Sequence, residues 1–246
     1  MESVFGQVEL DGIISNGQCI TNTNTSSRDG EFETICSKIV LLADGSVAAV
    51  CSSSAKTHTI LLTAASIQDL KNSVFASSLS VHGSVSQLVC GESHFLALTD
   101  DGNVYSGGSN LHGQIGRDSL TTTLEFAQVT DLAGINIVRI AASGFLSAAV
   151  SREGGLYIWG WTRLETLMVQ GMENGVRGVA DMLMLDFDVF DVALGWQHII
   201  ILTDDGVFYL GRIRETDEPV EQWTRVHVGF TPKRVWSGPC TAFIAG

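Results

Sequence analysis

Short apolar runs separated by glycines and acidic-Gly pairs recur along the chain at a nearly constant interval. In the clearest copy, Leu88-Val89-Cys90-Gly91 is followed by His94, then by Leu98-Thr99-Asp100-Asp101-Gly102, then by Val104-Tyr105. Moving 52 residues on gives Ile140-Ala141-Ala142-Ser143, Leu146, Val150-Ser151-Arg152-Glu153-Gly154 and Leu156-Tyr157. A second step of 52 gives Val192-Ala193-Leu194-Gly195, His198, Leu202-Thr203-Asp204-Asp205-Gly206 and Phe208-Tyr209. Runs this short, rich in Val, Ile, Leu and aromatics and bounded by glycine, predict strands, and the acidic-Gly pairs predict hairpin turns. Upstream, Ile39-Val40-Leu41-Leu42-Ala43-Asp44-Gly45-Ser46-Val47 reads as a weaker copy, which sets turn glycines at 45, 102, 154 and 206. Downstream, Val235-Trp236-Ser237-Gly238 and Thr241-Ala242-Phe243-Ile244 match the first two strands and stop. Helical character is confined to Ala64–Val74, a short and polar stretch.

One such repeat cannot bury both faces of its own small sheet, so copies must pack face to face around an axis or along a line. The truncated last copy favours a ring, because its missing strands must come from the N-terminus, where Val4-Phe5-Gly6-Gln7-Val8 resembles the region of Gly113-Gln114-Ile115. The expectation is an all-β closed β-propeller of about five blades, with the last blade composed of both termini. Its segments are a closure strand and loop at 1–33, a degenerate repeat at 34–84, repeats at 85–136, 137–188 and 189–231, and a partial repeat at 232–246. Ser52–Gly83 is left either as loop or as a degenerate half-blade.

The run from Val89 to Gly116, with Gly91, His94, Asp101-Gly102, Val104-Tyr105 and the ending Gly113-Gln114-Ile115-Gly116, closely resembles the repeat of the regulator of chromosome condensation family. Ile158-Trp159-Gly160-Trp161 and Leu194-Gly195-Trp196-Gln197-His198 look like diverged copies, so the resemblance covers roughly residues 85–246. It implies a propeller that works by binding protein. The founding member promotes nucleotide exchange on a small GTPase with an inserted hairpin wedge and docks on nucleosomes through basic loops. The constant spacing here leaves no room for that wedge. Short, diverged members include accessory proteins that pair with a small zinc protein in tRNA wobble-uridine and diphthamide modification, and one that partners a JmjC-type oxygenase. The closing Ser237-Gly238-Pro239-Cys240-Thr241 is similar to their C-termini. The resemblance therefore implies a non-catalytic accessory or regulatory subunit with no cofactor, and alternatively a guanine nucleotide exchange factor for a small GTPase.

Charge narrows the partners. Asp plus Glu number 27 against 14 Lys plus Arg, a formal net charge of −13, and such a field repels a phosphate backbone. A local exception is the C-terminal group Arg212, Arg214, Arg225, Lys233 and Arg234, interspersed with acids and read as a solvated face. The five cysteines are dispersed with no C-x-x-C pair, which predicts reduced thiols in an intracellular, cytoplasmic or nuclear setting, and no uninterrupted apolar run approaches the roughly 18 residues that span a bilayer, so no membrane is expected.

Candidate chemistry is sparse. His94 and His198 share one repeat position where the third copy has Leu146, a replacement that a base or ligand would not tolerate, so both read as structural. Gly91, Gly102, Gly154, Gly195 and Gly206 read as structural repeat glycines, and the paired aspartates beside them as turn residues. Asp186, Asp188 and Asp191 alternate along an apparent strand and read as a solvated face, with no metal site assigned. Trp159 falls at a core position. Trp161 and Trp196, with Gln197, are the candidate protein-binding residues, since Trp is enriched at interface hot spots.

Overall fold

The computed structural model describes residues 34–53, 59–71, 74–117, 122–162, 176–214, 216–238 and 240–246. Among them, four four-stranded antiparallel meanders and one two-stranded sheet follow in chain order. The first holds β1 (Thr34–Leu41), β2 (Val47–Ser53), β3 (Thr59–Ala64) and β4 (Ser77–Val81). The second holds β5 (Val85–Cys90), β6 (His94–Thr99), β7 (Val104–Gly108) and β8 (Thr123–Gln128). The third holds β9 (Ile137–Ser143), β10 (Leu146–Ser151), β11 (Leu156–Trp161) and β12 (Val176–Leu183). The fourth holds β13 (Val189–Leu194), β14 (His198–Thr203), β15 (Gly206–Gly211) and β16 (Val220–Val226). The last pairs β17 (Arg234–Gly238) with β18 (Thr241–Ala245).

The burial pattern explains the apolar runs. Strands β6, β10 and β14 are buried at every position, because a neighbouring sheet covers each face, and their sequences are predominantly apolar without a regular apolar-polar alternation, the few polar members such as His94, Ser147 and His198 being buried too. Successive sheets share a core: Val50 and Leu61 meet Leu88 and Phe95. Leu96 and Leu98 meet Ala149 and the fully buried Trp159. Ala148 and Ile158 meet Leu194 and Ile199. Ile200 and Leu202 meet Val235. By contrast β16 is half-buried or exposed throughout, as an outer edge strand should be. The first strands β1, β5, β9, β13 and β17 pack in succession and line a common axial cavity.

Two ends of the sheets are distinct. The upper face carries Gly91–Ser93, Gly144-Phe145 and Gly195–Gln197, the links from each first strand to its second. The lower face carries the turns at Gly102, Gly154 and Gly206, joining second and third strands as the repeat predicted. These lower turns also stitch one sheet to the next: Ile137 N donates to Gly102 O at 3.3 Å, and Val189 N donates to Gly154 O at 2.9 Å.

Several expectations are corrected. Asp44-Gly45 joins the first and second strands of its sheet, not the second and third, and lies on the upper face, where Ala43 N donates to Glu92 O at 2.9 Å. Of the two readings left open for Ser52–Gly83, the structure has the half-blade: β3 and β4 complete the first sheet, and the one-turn helix α1 (Ile67–Lys71) falls within the expected helical stretch Ala64–Val74. The helix starts where Ser66 Oγ accepts from Asp69 N at 3.1 Å and donates to the Asp69 carboxylate at 2.7 Å, and its Leu70 packs against that sheet. Cys51 is disulfide-bonded, and Cys36 stands opposite it in register, whereas Cys90 and Cys240 are free. The closing segment Val4–Val8 lies outside the described residues.

Candidate functional site

The axial cavity, about 410 Å³, is organised by one recurring irregularity. Four of the five first strands, all but β17, carry a register shift just before a polar residue: between Cys36 and Lys38, Val85 and Gln87, Ile137 and Arg139, and Val189 and Asp191. A bulge turns the following side chain away from its regular direction, here towards the neighbouring first strand. Lys38 Nζ donates to Val85 O at 3.1 Å and to Ser86 O. Gln87 Oε1 accepts from Ile140 N at 3.0 Å. Arg139 Nε lies 3.5 Å from Asp191 Oδ1, and Arg234 Nε donates to Asp191 Oδ2 at 3.1 Å, beside Val235 N at 3.2 Å. Gln87, Arg139 and Asp191 are 52 residues apart, so a single repeat position supplies a lateral stitch from sheet to sheet.

Asp191 is therefore not on a solvated face: it is 5% exposed and held between two guanidinium groups, the arrangement a buried carboxylate requires. Asp186 and Asp188 are exposed, as expected. Cys90 also lines the cavity, and burial pushes its thiol up to about 11, so it stays protonated and unreactive at neutral pH.

The repeat histidines are buried against glycines. The Nε2–H of His94 donates to Ser147 Oγ at 2.8 Å, because that hydroxyl is already donating to Gln114 O at 2.8 Å. Burial holds His94 at about 3, so it is neutral and reaches across to the third sheet. His198 does the same towards the last sheet, 2.6 Å from Ser237 Oγ, and burial lowers its pKa too. Each ring packs against the glycine three residues earlier, so closely that a Cβ on Gly195 would fall 2.0 Å from His198 Cε1, and one on Gly91 2.3 Å from His94 Cε1. The third copy drops both partners together, with Ser143 and Leu146 in their places.

At the upper face the described loops bring aromatics together. Trp161 is half-buried, and its ring centroid lies 5.8 Å from His112 and 6.1 Å from Phe145, which are themselves 4.5 Å apart. Trp161 N donates to Phe145 O at 2.9 Å, fixing the strand end against the loop. Trp196 is 52% exposed beside Gly144, on the rim of the axial cavity, and Gln197 is half-buried with its carbonyl accepting from Arg212 N at 2.7 Å. The sequence reading did not pick out His112 and Phe145. Phe145 had a usable signal: it occupies the repeat position of the polar Ser93 and Gln197.

Face-packed antiparallel meanders whose first strands line one cavity have the architecture of a repeat β-propeller. Residues 85–114 match the family model described as the Regulator of chromosome condensation (RCC1) repeat. The RCC1-like G exchanging factor-like protein of Homo sapiens is 39% identical over 98 residues, 37% of this chain and 21% of that protein. The Ultraviolet-B receptor UVR8 of Arabidopsis thaliana is 33% identical over 138 residues, 53% of this chain and 30% of the receptor. Human WBSCR16 superimposes with a TM-score of 0.67 at 23% identity, covering 84% of this chain and 58% of that structure. Prp20p from Saccharomyces cerevisiae superimposes with a TM-score of 0.60 at 15% identity, covering 85% of this chain and 55% of that structure. The chain thus carries an RCC1-type repeat at residues 85–114 and is similar to RCC1-like propeller proteins, spanning less than a third of these curated relatives and a little over half of these solved structures.

Proposed function

We propose that this chain is a non-catalytic protein-binding propeller, an accessory or regulatory subunit that grips its partner with the upper face. The observation that carries this reading is the aromatic surface there: Trp196 exposed beside the cavity mouth, and Trp161 packed with His112 and Phe145 one sheet away. Exposed aromatics on rigid elements bind with little loss of side-chain freedom, which is why they dominate interface energetics. Gln197 adds a polar contact at the rim. The net charge of −13 favours a protein over a nucleic acid, and among the described residues no helix is long and apolar enough to cross a membrane. An intracellular location, cytoplasmic or nuclear, suits this role. The partner classes that the family resemblance suggests are a small zinc protein, a JmjC-type oxygenase and a small GTPase.

The test is purification of the tagged chain from native extract at low salt, beside a Trp161→Ser/Trp196→Ser variant. A stoichiometric partner held by the wild type and lost by the variant supports the reading; no stoichiometric partner removes it. A second reading, nucleotide exchange on a small GTPase, is favoured by the 39% identity to the RCC1-like G exchanging factor-like protein. Accelerated nucleotide release from a panel of small GTPases would replace the first reading with this one.

A further inference from the structure

The lower face carries a second surface, unrelated to the aromatic one. The turn Ser151–Gly155, the end of β12 and the segment running into β13 enclose a groove of about 500 Å³, within the roughly 300–1,000 Å³ of ligand pockets. Its apolar side chains are Ile135, Tyr157, Met182, Met184, Leu185 and Phe187, with the buried Leu156 and Leu183. Met184 is 76% exposed and Met182 42%, a large apolar area left open by the described residues, on thioethers that adapt their shape to what they touch.

The groove's frame is fixed. Gly154 adopts φ +85° with Asp188 packed so tightly on it that a Cβ would lie 2.6 Å from the aspartate's own Cβ. Val189 N donates to Gly154 O, Gly155 N donates to Ser151 Oγ at 3.1 Å, and Phe187 stacks on Phe208 at 4.9 Å. The charged residues lining it are Glu153 and Asp188, with Asp186 exposed between Leu185 and Phe187; no Lys or Arg is among the lining residues. Arg152, exposed next to Glu153, is the nearest cation in sequence and lies outside the lining.

We propose that this groove docks a short segment of a partner protein that presents an apolar side chain flanked by lysine or arginine. Carboxylates around an apolar floor attract such a segment, whereas a phosphate-bearing ligand and a second copy of this acidic chain are both repelled. Among the described residues the acidic groups do not gather into a cation site, which leaves the carboxylates as steering charges.

The probe is the fluorescein-labelled peptide Lys-Lys-Leu-Phe-Lys-Lys, titrated against the full chain by fluorescence anisotropy, beside a charge-inverted peptide with Glu for Lys and an apolar-deleted one with Gly-Ser for Leu-Phe. Saturable binding of the first peptide only is expected. It should weaken about tenfold or more, equivalent to about 1.4 kcal/mol, in Met184→Asp and in Asp186→Lys, both exposed positions whose replacement leaves the core intact. It should also weaken as salt rises. Trp196→Ser, at the other end of the sheet, leaves this affinity unchanged, so failure of the upper-face reading and failure of this one are separate results. Equal affinity for wild type, Met184→Asp and Asp186→Lys, equal binding of the charge-inverted peptide, loss in Trp196→Ser, or no saturable binding at millimolar protein would each overturn the proposal.

Discussion

Gly195 and His198 should behave as one unit, and the chain itself supplies the control. The nearest atoms to a side chain at 195 are three of the His198 imidazole, at 2.0 to 2.5 Å, and His198 is 1% exposed and tied to Ser237. It cannot swing away without losing that hydrogen bond, so Gly195→Ser alone should cost roughly 2–3 kcal/mol by overpacking. His198→Leu alone removes the bond to Ser237 and leaves a gap over the glycine, for about 1–2 kcal/mol. Together they reproduce Ser143 and Leu146 of the third copy, where both positions already coexist. The double variant should be less destabilised than the sum of the singles by about 1–2 kcal/mol, well beyond the roughly 0.5 kcal/mol of additive sites. Urea unfolding of wild type, both singles and the double measures the cycle. For a chain of this size each kcal/mol also moves the Tm by about 2–4 °C. Additive losses would mean that the ring does not rest on Gly195 and that the pairing of glycine with histidine in the repeat has another cause.

Asp191→Asn should destabilise the fold by about 1–2 kcal/mol, measured by urea unfolding; Arg139 and Arg234 are 33% and 47% exposed, which screens the loss below that of a fully buried pair. A lowered histidine pKa means that the unfolded chain binds a proton that the folded chain refuses, so stability is complete above about pH 6.5 and falls as pH drops towards 3. His94 should contribute about 2 kcal/mol of loss between pH 6.5 and 5, and His94→Gln should flatten the wild-type profile by that amount in unfolding titrations across this range. Gly154→Ala should cost about 1–2 kcal/mol in thermal unfolding, since it combines a positive φ with contact on Asp188.

The sheets were legible in the sequence because burial on both sides makes β6, β10 and β14 predominantly apolar and because the Gly102, Gly154 and Gly206 turns repeat at a fixed interval. Trp159 and Trp161 lie two residues apart, a spacing that puts both on one face of a regular strand, and their different burial follows instead from the register shift between Ile158 and Gly160 and the positive φ of Gly160 between them. The Asp44-Gly45 turn misled because a hairpin signal is local: it marks a turn but not which pair of strands the turn joins. The polar stitches at Gln87, Arg139 and Asp191 escaped because they share a position but not a chemistry, and each finds its partner in the next sheet. The His112, Phe145 and Trp161 cluster is assembled from three loops or strand ends, a proximity that only the radial packing creates.

The central claim is that this propeller is a binding module whose upper face holds its partner. Hydrogen exchange on the purified complex, compared with the free chain, tests it most directly. Slowed exchange should concentrate at the Gly91–Ser93, Gly144-Phe145 and Gly195–Gln197 links and around His112. A complex in which those amides exchange as fast as in the free chain, with protection elsewhere, would contradict it.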